Sequence, residues 1–235
     1  MEKILFESAL KWGGNGDGHY IVTVSQAWLD NFSKLSDDYL VQPIINNHRE
    51  LDKISPCLAS VRLVTIKKKC GSIDLFWAGE LKTGQEGSIN SNTSTGGYNL
   101  ILSQRGLILK GAYYIGSADE GLVFDEKIDL SGFKVPFYQE ATQLCKEAHL
   151  SIAHEFFLIA WDVAITEQGP LLIECNLFPG LLQQNIIKEV SYRDQAIESA
   201  NSYYHQRGNI FLRWQALSFL SGLSSCVFIG AIISA

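Results

Sequence analysis

"IAWDVAITEQGPLLIECN", residues 159–176, decides how the chain folds, because apolar and polar positions alternate on both sides of a turn. With Glu167, Gln168 and Gly169 as a three-residue turn, and Gly169 in the left-handed conformation, the two strands pair so that Asp162 lies opposite Glu174. Side chains alternate faces along a strand, so Asn176 projects on the side of Glu174. Trp161, Val163 and Ile165 then meet Leu171, Ile173 and Cys175 on the other side, an apolar surface fit for a core. Like charges directly opposite on paired strands stand with Cβ atoms roughly 5 Å apart and repel, so Asp162 and Glu174 need compensation. Two sources fit: a cation held by the oxygens of Asp162, Glu174 and Asn176, or a basic side chain such as Lys67 or Arg62. An all-oxygen set with few protein ligands suits magnesium better than calcium, with manganese as the alternative.

The whole chain sets outer bounds on this reading. Its 235 residues suffice for one sizeable core or two small lobes without disulfide or metal staples. A net charge of -6 argues against a broad surface for DNA or RNA. Cys57, Cys70, Cys145, Cys175 and Cys226 form no CxxC pair and read as reduced packing residues. MEKILFESAL lacks the long apolar stretch of a secretory signal, so a cytoplasmic location is the expectation. From Trp214 to Ala235 there is no charged residue, and the run follows Arg207 and Arg213. That tail reads either as an anchor to the cytoplasmic membrane or as a buried terminal helix, since Ser218, Ser221, Gly222, Ser224 and Ser225 dilute it.

Along the chain, "ILFES", "KWGGNGDG" and "HYIVTV" read as strand, glycine loop and strand. A short helix is expected from Ser25 through Phe32, and then a strand in "SDDYLVQPII" ended by Pro43. "VRLVTIKK" and "IDLFWAGEL" form a second hairpin around "KCGS". "LILSQRGLILKGAYY" follows as strand, turn and strand. Ala141, Leu144, Cys145, Ala148 and Ile152 recur at helical spacing within residues 136–156. A second helix is expected over Gln183 to Tyr204. Strands with inserted helices make the class α+β. Trp12, Trp28 and Trp77 read as packing, and His149 and His154 lack the HExxH spacing.

Several ordered blocks, "LVQPIINNH", "SVRLVTI", "NTSTGGYN", "WDVAIT" and "GPLLIE" with the following Asn and Gln, resemble the sugar-transfer-associated ATP-grasp family. The resemblance implies an ATP-grasp-like α+β fold of mainly antiparallel sheets with packed helices. It also implies ATP and magnesium as cofactors, a small-molecule substrate, and a ligase that activates a carboxylate as an acyl phosphate. Asp162, Glu174 and Asn176 become the implied metal ligands, and Arg62 the residue near transferred phosphate. Gln42 and Ile44 would meet the adenine at the hinge between lobes. Gly13, Gly14 and Gly16 belong to the implied phosphate flap, and Asn92 to a nucleotide-side loop. The chain departs from the family where Glu7-Ser8 replaces a Lys-Pro ahead of the flap, which leaves Lys11 as the substitute, and where Ser91 replaces an acidic residue. Met1 falls near that flap, so the N-terminal lobe is expected to be incomplete. The expected division is a partial nucleotide lobe at 1–45, a metal-bearing lobe at 46–206 and an apolar tail at 207–235.

Overall fold

The computed structural model describes residues 3–8, 19–23, 25, 26, 30, 39–68, 70–86, 91, 96–115 and 122–176. Strands β1 (Lys3–Ser8), β2 (His19–Thr23) and β3 (Tyr39–Pro43) form an antiparallel three-stranded sheet in the order β2-β1-β3. Leu5 lies between Ile21 and Gln42 in this sheet. The hairpin expected from "ILFES" and "HYIVTV" is therefore present, with a third strand added from "LVQP". Its glycine loop, most of the helix expected from Ser25, the helix expected after Gly180 and the apolar tail lie outside the described residues.

A seven-stranded antiparallel sheet carries the remainder, in the order β10-β9-β4-β5-β6-β7-β8. Its members are β4 (Ser60–Lys67), β5 (Ile73–Thr83), β6 (Tyr98–Ile101), β7 (Ala112–Ile115), β8 (Leu122–Asp125), β9 (Leu158–Thr166) and β10 (Gly169–Asn176). The β4–β5 hairpin appears where the sequence places it. A one-turn helix α1 (Arg49–Asp52) and strand β8 are additions to the sequence reading. Helix α2 (Tyr138–Ile152) occupies the interior of the predicted span and buries Tyr138, Ala141, Cys145 and His149. Tyr138, Ala141 and Cys145 join Val61, Leu63, Leu81, Leu100, Trp161, Val163 and Ile165 in one core on one side of the sheet.

The opening hairpin differs from its sequence reading in the turn. Thr166 pairs with Gly169, so the turn is the two residues Glu167 and Gln168, and Gly169, at φ 120°, is the first residue of the returning strand. The shorter turn displaces the pairing by one step, with Leu172 opposite Val163. A β-bulge at Ile173 then inserts one unpaired residue and brings Glu174 opposite Asp162. The apolar face changes accordingly: Leu172 and Cys175 pack against the core, while Leu171 and Ile173 are 45% and 42% exposed.

A buried polar knot ties α2 to the sheet. His149 Nε2–H donates to the Phe156 carbonyl at 3.1 Å, which makes Nδ1 the acceptor for the Thr65 hydroxyl at 2.7 Å. Thr65 Oγ1 also accepts from Trp161 Nε1–H at 2.7 Å. Burial pushes the imidazole down to about 4, so it is neutral at ordinary pH and available as an acceptor. Replacing Thr65 by Val leaves the buried Trp161 and His149 nitrogens unpaired. The expected loss is about 2–4 kcal/mol of stability by urea unfolding, well beyond the effect of a volume-conserving change in an apolar core.

Candidate functional site

Four charged residues form a row across adjacent strands on the side of the sheet opposite α2. Glu80 on β5 pairs with Arg62 on β4, Arg62 with Asp162 on β9, and Asp162 with Glu174 on β10. Directly opposite residues share a face, so the register alone aligns these four side chains. Gly79 sets the first pairing. At φ +93°, a Cβ there would stand 2.3 Å from the Arg62 carbonyl oxygen, so only glycine allows the strands this close at the bulge in β5. Lys82, two residues beyond Glu80, projects on the same face between Ser60 and Asn99.

The centre of the row is Asp162. Arg62 grips it in a fork, Nε to Oδ1 at 2.9 Å and a guanidinium NH₂ nitrogen to Oδ2 at 2.6 Å. Lys82 Nζ adds a third bond, to Oδ2 at 3.1 Å. The Asp162 and Lys82 side chains are 4% and 6% exposed, whereas Glu174 is 34% exposed at the open end. Glu174 Oε1 lies 3.9 Å from the Arg62 guanidinium and accepts from Asn176 Nδ2 at 3.0 Å. Glu80 is buried, and its Oε2 has no hydrogen-bond partner among the described residues.

These neighbours push the carboxylates apart in acidity. Burial alone would raise the Asp162 pKa, but the charges of Arg62 and Lys82 and the Arg62 fork hold it far below the ordinary carboxylate range. Glu174 is pushed up to about 7 by burial and then by its contact with ionised Asp162. Burial also raises the Glu80 carboxyl, against the pull of Arg62 and Lys82.

Arg62, Asp162, Glu174 and Asn176 are therefore brought together, and Asp162 takes Arg62 as its partner rather than Lys67, whose Nζ donates to the His154 carbonyl. Among the described residues, no three His, Cys, Asp or Glu side chains group as a metal cluster; the convergent oxygens are those of Asp162, Glu174 and the Asn176 amide. Ile44 lines a separate cavity of about 480 Å³ with Ile45, Asn46, Asn47 and the Thr166–Leu171 turn region. His48 N–H bonds the Ile165 carbonyl at 2.7 Å and holds the segment after β3 against that hairpin. Gln42 sits partly buried on β3. Lys11, Gly13, Gly14, Gly16 and Asn92 lie outside the described residues. Sequence reasoning missed Glu80 and Lys82. Their signal was the alternation of "AGELKT", hidden because two extra residues in β5 shift its register and must be known before it can be aligned with β4.

Two antiparallel sheets, the larger with a helix packed on one side and a charged row on the other, define an α+β protein. The chain belongs to the sugar-transfer associated ATP-grasp family, whose model matches residues 19–199. No curated protein matches it. Among solved structures it is similar to the biotin carboxylase subunit of pyruvate carboxylase, at 12% identity and TM-score 0.32, over 97% of this chain and 38% of that one. It is also similar to the biotin carboxylase domain of a thermophilic 2-oxoglutarate carboxylase bound to ADP, at 13% identity and TM-score 0.32, over 94% of this chain and 37% of that one. The chain thus spans well under half the length of either. Among the described residues, no helix is long and apolar enough to cross a membrane.

Asp162→Asn removes the one carboxylate that both Arg62 and Lys82 hydrogen-bond and is expected to cost about 3–5 kcal/mol in urea unfolding. Lys82→Met is expected to cost less, because the Arg62 fork keeps Asp162 paired. Glu174 gives a pH signature. Its folded pKa of about 7 lies above the ordinary 4.5, so the native state binds more protons between these values. Its contribution to stability is complete below pH 4.5 and is lost as pH rises through 7. Melting temperatures followed across that window should show this decline in the parent protein and a smaller one in Glu174→Gln.

Proposed function

We propose that this protein is an ATP- and magnesium-dependent ligase of the ATP-grasp type. In this reading it activates a carboxylate as an acyl phosphate and joins it to an amine or a similar nucleophile. The observation that carries the reading is the single row in which Arg62, Asp162 and Glu174 share a sheet face with Asn176 beside them. The donor chemistry fits magnesium, since every available ligand atom is oxygen. The charge also fits: when all are ionised, three carboxylates face two cations, and a divalent ion relieves that surplus of negative charge. Glu174 and Asn176, at the open end, would hold the ion together with Asp162. Magnesium bound there would neutralise the phosphate oxygens of ATP.

In the first step a substrate carboxylate oxygen attacks the γ-phosphorus and ADP leaves. In the second, the nucleophile bonds to the acyl carbon, the carbon–oxygen bond to phosphate breaks, and the nucleophile loses its proton. Arg62 stabilises the transferred phosphoryl charge. The backbone near Gln42 and Ile44 would receive the adenine, with Lys11, Gly13, Gly14, Gly16 and Asn92 on the phosphate side. Residues 1–45 would then form the nucleotide lobe and 46–206 the metal-bearing one. The family's description as sugar-transfer associated supports polysaccharide assembly as the pathway proposed. The apolar tail would tether the enzyme to the cytoplasmic membrane.

One observation favours a second reading, nucleotide binding without turnover: Arg62 and Lys82 already engage both oxygens of Asp162. Calorimetric titration of Mg-ATP into the parent protein, Asp162→Asn and Glu174→Gln tests the site. A loss of at least tenfold in affinity is expected in both variants, and equal affinity in all three would overturn the metal reading. Tight binding without ADP release, in the presence of carboxylate and amine substrates, would favour the second.

A further inference from the structure

A carboxylate that already receives three bonds from two cations is a poor place for a third cation. Arg62 and Lys82 both turn toward Asp162, at 2.6–3.1 Å, and their charges would repel an ion approaching its oxygens. Glu80 is placed to resolve this conflict. It lies directly opposite Arg62 on the strand away from Asp162, and two residues from Lys82 on the same face of the same strand. Its carboxyl is buried, yet Oε2 has no hydrogen-bond partner among the described residues. A buried carboxyl with an unpaired oxygen is costly to keep, and here it stands within side-chain reach of both basic groups.

We propose that Glu80 is the alternative partner of Lys82 and Arg62, a positioning residue that receives them when a divalent cation occupies Asp162. The proposal rests on the reading of Asp162 as a cation ligand. In the arrangement described here both basic groups are held on Asp162, and Glu80 Oε2 has no hydrogen-bond partner among the described residues. In the liganded one, Lys82 turns back along β5 to Glu80, Arg62 loosens its fork, and the oxygens of Asp162 become free. The count of charges changes sign in the process. Glu80, Asp162 and Glu174 against Arg62 and Lys82 leave one negative charge when all are ionised, and a divalent ion turns this into one positive charge. The row then favours a polyphosphate that it would otherwise repel. The unpartnered Glu80 oxygen and the saturated Asp162 are thus two halves of one exchange.

The test is the dependence of AMP-PNP affinity on Mn²⁺, taken as the ratio of Kd in EDTA to Kd in Mn²⁺. It is measured for the parent protein, Glu80→Gln, Lys82→Met and the double variant, together with a crystal structure of the parent bound to Mg²⁺ and AMP-PNP. Glu80→Gln is expected to lower the ratio about tenfold, and in the Lys82→Met background the same change should have less than a threefold effect, because the main group to be rehoused is gone. The complex should show Lys82 Nζ hydrogen-bonded to the Glu80 carboxylate. A ratio unchanged by Glu80→Gln overturns this proposal alone, as does a complex in which both basic groups stay on Asp162. A parent ratio of one overturns it along with the proposed metal site. If Glu80→Gln does not fold, the structure of the parent complex decides.

Discussion

The fork between Arg62 and Asp162 is the constraint around which the larger sheet is arranged. It joins neighbouring strands β4 and β9 through side chains that backbone pairing has already placed face to face. A buried ion pair is a weak source of net stability, because desolvation offsets most of the attraction. Once formed, though, it cannot be half removed: either partner alone would be a buried charge. The strands carrying it are therefore committed to one another, and Lys82 and Glu174 are committed to the same spot through Asp162 and Arg62.

Strand alternation makes the opposite face the guarantor of this geometry. Arg62 is flanked by Val61 and Leu63, Asp162 by Trp161 and Val163, and Leu81 stands between Glu80 and Lys82. All of these flanking residues are buried in the core that packs on α2. A charged side chain in the row cannot drift without dragging a core residue with it. The His149–Thr65–Trp161 knot fixes the residue immediately before Asp162, so the polar side inherits its precision from the dry side.

Much of this was legible in the sequence, for identifiable reasons. Helix α2 announced itself by helical spacing, and the β4–β5 and β9–β10 hairpins by alternation around short turns. The pairing of Asp162 with Glu174 was anticipated, although through a longer turn and without a bulge. The apolar partners of that hairpin were misassigned at Leu171 and Ile173, because the pairing changes by one step between turn and site. Glu80 and Lys82 were invisible as site residues because local alternation cannot report which strand lies beside which, nor where a strand is bulged. Strand β8 and helix α1 are each only four residues long, too short for periodicity to register.

The bulge at Ile173 changes how the β9–β10 hairpin can vary. A two-residue turn plus one extra residue in the returning strand reaches the same pairing of Asp162 with Glu174 as a three-residue turn with none. The hairpin thus has two interchangeable spellings: an insertion in the turn can be cancelled by a deletion at Ile173 with the charged row left in place. Turn length is free to differ among relatives of this chain so long as the residue count from Asp162 to Glu174 is conserved, and it is that interval, more than the identity of the turn residues, that alignments of such hairpins should hold fixed.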